Sequence, residues 1–276
     1  MKARFKLLFG LVTLASMASC SKGPTYAHDQ SRNSSSQESE NFGPDSKPQA
    51  IVIKAAGDIN ASIEQFRDLL GGDLNIHPGA TGGRREVNWD AVPLNLTNNN
   101  AFPGDFFGSA NPTDGDGRKR GLRMTTPGVG FSISDNDFSF IQQRYDDLFN
   151  DFSPSKTFIA AGSTITDNFF KVPGTNTDAS VQGFGVVFSG VNTAASTSME
   201  FFDGDRLLGV FRVPNNGNNN PGGFSFLGVF FPNDKITHVR VFSGTAPLSP
   251  TQKDLTDGGG EDLVIMDDFI YSEPKN

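Results

Sequence analysis

Ser198-Met-Glu-Phe-Phe-Asp203, then Gly204-Asp205, then Arg206-Leu-Leu-Gly-Val-Phe-Arg-Val213 is the stretch that decides the fold. It reads as two strands joined by a tight turn, because Gly204 supplies the positive φ such a turn needs. The next stretch repeats the design. Phe224-Ser-Phe-Leu-Gly-Val-Phe-Phe231 and Ile236-Thr-His-Val-Arg-Val-Phe242 flank the turn residues Pro232-Asn233-Asp234. Strands that follow one another this closely, with no helical spacer, pair antiparallel. The chain has 26 Phe in 276 residues. Two sheets packed face to face bury that many rings between them.

Working outward, period-two runs bounded by Gly, Pro, Asn and Asp predict further strands at 51–56, 157–161, 168–172, 183–189 and 262–271. One helix is expected near the start. Asp58 or Asn60 caps it, Ile63, Phe66, Leu69 and Leu70 share one side, and Gly71-Gly72 stops it. The expected fold is therefore an all-β antiparallel sandwich over residues 51–276, with one short N-terminal helix.

The first twenty residues read differently. Lys2, Arg4 and Lys6 precede an apolar stretch, Leu7 to Ala15, and then Met17-Ala18-Ser19-Cys20. Small residues before a Cys, directly after an apolar run, resemble a bacterial lipoprotein signal. The resemblance implies cleavage after residue 19 and lipidation of Cys20, the only Cys in the chain. It implies a membrane partner reached through that lipid, and a place in the cell envelope outside the cytoplasm, at an outer membrane or a cell surface. Residues 20–50 then read as a lipidated Cys and tether. They are rich in Ser, Gln, Asn, Pro and Gly, with only Tyr26 and Phe42 to anchor a core. Thirty flexible residues reach roughly 30 Å.

Composition excludes several classes. The formal net charge is -8, so no nucleic-acid partner is expected, since that role needs a basic footprint. One Cys and three His leave no disulfide framework and no Cys/His zinc cluster. No G-x-S-x-G or H-E-x-x-H motif occurs.

The C-terminal half also carries a family likeness. QGFGVVFSGV (182–191), MEFFDGDRLLG (199–209), FSFLGVFF (224–231), ITHVRVFSG (236–244) and EDLVIMDDFIY (261–271) resemble the strand order of secreted bacterial jelly-roll modules. The segment Gly83-Arg-Arg-Glu-Val-Asn-Trp-Asp90 resembles a block of uncharacterised secreted proteins of this type. The resemblance implies a jelly-roll-like sandwich. It also implies a structural calcium held by Asp267 or Asp268 on the last strand. Separately, the Gly-rich loop Asp114-Gly-Asp116-Gly117 offers Asp116 as a further candidate ligand. Adjacent strand residues face apart, so one of Asp267 and Asp268 is expected to point inward.

The candidate ligand-binding residues are Arg84, Arg85, Glu86, Asn88, Trp89 and Asp90. On a strand, Arg84, Glu86, Asn88 and Asp90 share one face and Arg85, Val87 and Trp89 the other. The polar face suits a sugar, whose hydroxyls pair with carboxylates, amides and guanidinium groups. The same pattern equally describes an internal salt-bridge ladder with a Trp filling the core. The functional expectation is a non-catalytic, lipid-anchored envelope protein that binds a glycan or surface polymer. A structural or protein-interaction module and a polysaccharide hydrolase are the alternatives.

Overall fold

The computed structural model describes residues 48–217 and 220–276. Residues 1–19 and Cys20, with most of the tether, lie outside the described residues. Among the described residues, fourteen strands form two antiparallel sheets, packed as an all-β sandwich with one α-helix.

The larger sheet runs β1 (Ile51–Ala56), β12 (Phe224–Phe230), β9 (Gly183–Ser189), β14 (Ile265–Ser272), β6 (Thr157–Ala161), β5 (Gly130–Ser134) and β3 (Asn99–Phe102). An eighth strand, β2 (Arg84–Val87), also pairs with β14. The second sheet runs β11 (Arg206–Arg212), β10 (Ser198–Asp203), β13 (His238–Phe242), β7 (Ile165–Lys171) and β4 (Leu122–Thr125). The short strand β8 (Asp178–Ala179) pairs with β7. The expected hairpin is present as β10 and β11, with Gly204 at φ 58°. The strands β3, β4, β5 and β8 lie where the sequence shows only Gly- and Asn-rich loop chemistry or runs of four or five residues. Asp262, Leu263 and Val264, expected to open the last strand, precede it.

The two sheets are not equivalent. Every residue of β6, β9 and β14 is buried, so the middle of the larger sheet is covered on both faces. Its inner face packs through Phe158, Phe184 and Phe188 on the second sheet, which contributes Phe201 and its neighbours. Part of its outer face lies under α1 (Asn60–Leu70), which contributes Ile63, Phe66 and Leu70. A separate cluster of Phe138, Tyr145, Phe149, Leu248 and Leu263 covers the rest. The second sheet alternates instead, as in β10 and β13, and keeps a solvent face.

Helix α1 begins at an Ile59 cap without a side-chain hydrogen bond; Asp58 instead accepts from the Asn60 amide at 3.2 Å. The helix docks because two glycines make room for it. Gly185 and Gly228 sit opposite each other in β9 and β12. A Cβ on Gly228 would come within 2.7 Å of the Phe66 ring, and one on Gly185 within 2.8 Å. Gly228→Ala should therefore destabilise the chain by roughly 1–3 kcal/mol through overpacking. Phe66→Leu in the same chain should return part of that loss. Urea denaturation of the two single variants and the double variant checks this, and strictly additive effects contradict the account.

Candidate functional site

The site is organised by one edge of β14. That edge pairs with β6 at Met266↔Phe158 and then with β2 from Phe269↔Val87 onward. Between these pairings the ladder is broken at Asp267 and Asp268. On the other edge, Met266 faces Phe188 and Phe269 faces Val186, so two residues of β14 oppose Val187 alone. This is a β-bulge, and it re-aims side chains.

Trp89 closes the gap. Its indole N–H donates to the Asp267 carbonyl at 2.8 Å, satisfying an acceptor that the broken ladder leaves open. The ring is 1% exposed. It stacks on Phe158 at 4.3 Å and meets Phe102, Phe107 and Phe269 edge-on. β2 has ended two residues earlier, and Trp89 adopts φ 67° to turn inward. The ring therefore fills the core and offers no open face to a sugar.

The bulge corrects the expectation that Asp267 and Asp268 face apart. Both carboxyl groups reach Ser153, whose Oγ lies 3.2 Å from Asp267 Oδ1 and 2.7 Å from Asp268 Oδ1. Asp267 Oδ2 also accepts the backbone N–H groups of Phe152 (2.6 Å) and Ser153 (3.1 Å). Burial, then the neighbouring Asp268 carboxyl, pushes Asp267 up to about 9. Burial also raises Asp268, against hydrogen bonds from Ser153 and Asp267. The pair thus shares a proton at neutral pH and fastens the 152–153 segment to the sheet.

This neighbourhood fits a calcium ion poorly. The Asp267 oxygens face N–H and O–H donors, and Arg67 Nη2 lies 4.0 Å from Asp268. Asp116, the third candidate ligand, pairs with His77 at 2.7 Å and with Lys119 at 3.7 Å.

The remaining members of the 84–90 block divide between structure and surface. Arg85 is fully buried and bonds Glu273 twice, at 2.7 and 2.8 Å. It also donates to the His77 carbonyl at 2.8 Å. Removing one partner of such a pair costs about 3–5 kcal/mol, so this residue holds the sandwich end together. Glu86 is gripped by Arg67 at 2.9 and 2.7 Å and by Arg84 at 2.6 Å. Asp90 accepts the backbone N–H groups of Ser155 and Lys156 at 2.7 and 3.2 Å. Asn88 is exposed and donates to Asp90 at 2.6 Å.

Glu86, Asn88 and Trp89 line a cleft of about 240 Å³. Phe106, Phe107, Arg118 and Arg120 line it too. Phe102 and Phe107 pack on the Trp89 ring and Phe106 packs on both of them, which pins the 95–117 loops onto the body. Arg118 lies over the Phe106 ring at 4.5 Å, a cation–π contact. The basic run Arg118-Lys119-Arg120 in an acidic chain was the sequence signal for this cleft. A larger groove of about 530 Å³ lies beside the end of α1, lined by Gly71, Gln182, Lys235 and Lys275 among others. Phe230 is the only aromatic ring along it. An apolar lining with a few convergent polar groups favours the smaller cleft as a binding site.

The open face of the second sheet carries a feature that sequence reasoning passed over. Phe202, His238 and Phe169 face one another across β10, β13 and β7. His238 stacks between the two rings at 5.0 and 4.6 Å. Its Nε2 lies 2.7 Å from Asp167, which also takes Arg240 at 2.7 and 3.1 Å. Burial opposes the Asp167 charge, but the hydrogen bonds from Arg240 and His238 outweigh it and hold the carboxyl below its ordinary range. The alternation His238, Arg240, Phe242 was the available signal. The rings spend their faces on one another and present edges outward.

No known protein family, curated protein or solved structure matches the chain.

The Asp267 proton makes stability pH-dependent. The folded chain keeps a proton that the unfolded chain releases in the ordinary carboxylate range. Stability held at low pH is therefore lost as pH climbs toward about 9. Asn at position 267 mimics the protonated acid, so Asp267→Asn should lose less stability than the native chain between pH 6 and pH 9. Urea titrations at both pH values measure it, and equal losses contradict the shared proton.

Proposed function

We propose that the chain is a non-catalytic, lipid-anchored protein of the cell envelope whose sandwich binds a glycan or another surface polymer in the Arg118–Arg120 cleft. The observation that carries the reading is the cleft itself, lined by Phe106 and Phe107 together with Glu86, Asn88, Arg118 and Arg120. Rings together with polar groups suit a sugar, which has apolar C–H faces and a hydroxyl rim. The volume is below the roughly 300–1,000 Å³ that encloses a drug-sized ligand. The cleft therefore takes one ring of a longer chain, with the rest of the polymer running across the surface. The signal-like residues 1–20 and the polar stretch after them support an anchor and a tether. Lipid acts by burying CH₂ groups, which an acidic protein needs at an anionic membrane.

A second reading, a protein-interaction module of the envelope, is favoured by the open sheet face bearing Phe169, Phe202 and His238. The two readings place the binding surface on different parts of the molecule, so one variant separates them. Gly117 lines the cleft, and an added Cβ there meets no atom within 4 Å. Gly117→Phe should fold normally and abolish saturable heat in calorimetric titrations with a polysaccharide panel. No heat with any polymer, or binding that the variant leaves unchanged, contradicts the cleft as the glycan site.

A further inference from the structure

We infer that the cleft selects a carboxylate-bearing sugar, a uronate residue of an acidic polysaccharide. This rests on the cleft being the glycan site and names the class of sugar it takes. The argument is a local charge balance in a chain whose formal net charge is -8. Three acidic groups lie on or beside the cleft, and each is already paired. Glu86 is held by Arg67 and Arg84. Asp114 pairs with Arg118 at 3.0 Å and also accepts from Ser109 at 2.6 Å. Asp116 pairs with His77 and Lys119.

Arg120 is different. Among the described residues its side chain donates to two backbone carbonyls, Asn75 at 3.3 Å and Gly117 at 3.4 Å, and to no carboxylate. These contacts are long and engage Nη1 and Nε. The guanidinium keeps donors and its full charge while lining the cleft. A guanidinium is planar, and its parallel donors match a carboxylate in a two-point contact. Arg118 is already engaged by Asp114 at 3.0 Å and by the Phe106 ring, so Arg120 carries the charge that the cleft leaves unmet. A neutral sugar leaves this charge uncompensated, whereas a uronate meets it beside the apolar rings, where screening by water is weak. The backbone around Arg120 is firmly placed. Its amide donates to the Phe107 carbonyl at 2.8 Å, and its carbonyl accepts from the buried Tyr271 hydroxyl at 3.1 Å.

The test titrates the full chain with polygalacturonate and alginate, and with methyl-esterified polygalacturonate, neutral galactan and dextran sulfate. The inference expects binding to a uronate polymer that falls about tenfold in Arg120→Gln, the loss of one charge-assisted contact. Arg123→Gln, an exposed position on β4 outside the cleft, should bind as the native chain does. Binding should also weaken as salt rises. Thermal unfolding of each variant confirms that it is folded. Equal affinity for the methyl ester or neutral galactan, still lost in Gly117→Phe, overturns the uronate inference and leaves the cleft reading standing. Equal affinity for dextran sulfate overturns the carboxylate preference. Binding of no polymer at all overturns both.

Discussion

The interaction on which the structure depends is the hydrogen bond from the Trp89 indole to the Asp267 carbonyl, 2.8 Å long, at the broken edge of β14. β14 is the central strand of the larger sheet, with β9 along one side and two different partners, β6 and β2, along the other. A strand buried at every residue has no water to satisfy an unpaired carbonyl, and leaving one unmet costs about 1–3 kcal/mol. Trp89 fills the opening and brings its ring into the largest aromatic cluster, against Phe158 and Phe269. The same bulge turns Asp267 and Asp268 toward Ser153. One irregularity in one strand thus fixes the 84–90 segment and the 152–153 segment together.

The candidate cleft follows from that arrangement. Phe107 packs against the inward-drawn Trp89 ring, and Phe106 packs against Phe107. Arg118 and Arg120 line the cleft together with Glu86 and Asn88. The buried Arg85–Glu273 pair and the Arg67–Glu86–Arg84 group hold β2 on its two sides. The candidate cleft thereby combines Glu86 and Asn88 of the block with Arg118 and Arg120 from a loop outside it. Sites held by a rigid scaffold with loop-borne contacts are the usual arrangement for recognition.

Much of the sandwich was legible because period-two alternation and glycine turns act locally. β9, β10, β11 and β12 fall within a residue or so of where the alternation puts them. Ile63, Phe66 and Leu70 likewise pack against the sheet as their spacing implies. What local pattern could not convey is long-range. The pair Asp267-Asp268 obeys alternation on paper, and only the partner register, two residues against Val187, overrides it. Trp89 could be read either as a platform or as core, and the deciding atom lies 178 residues away. Arg118 and Arg120 sit in a loop whose path is set by Phe106 and Phe107, so their meeting with Glu86 has no local signature. The Phe169–His238–Phe202 ladder was readable by alternation along β13 and escaped notice because a mid-strand His is commonly unremarkable.

The central claim is that Trp89 is an internal strut of the larger sheet. It is the only Trp in the chain, so its emission reports on that one position. The direct measurement is the fluorescence spectrum and acrylamide quenching of the full chain, native and in urea. The account predicts blue-shifted native emission that acrylamide barely quenches, with red-shift and quenching appearing only in the cooperative unfolding transition. Native emission that is already red-shifted and readily quenched contradicts it.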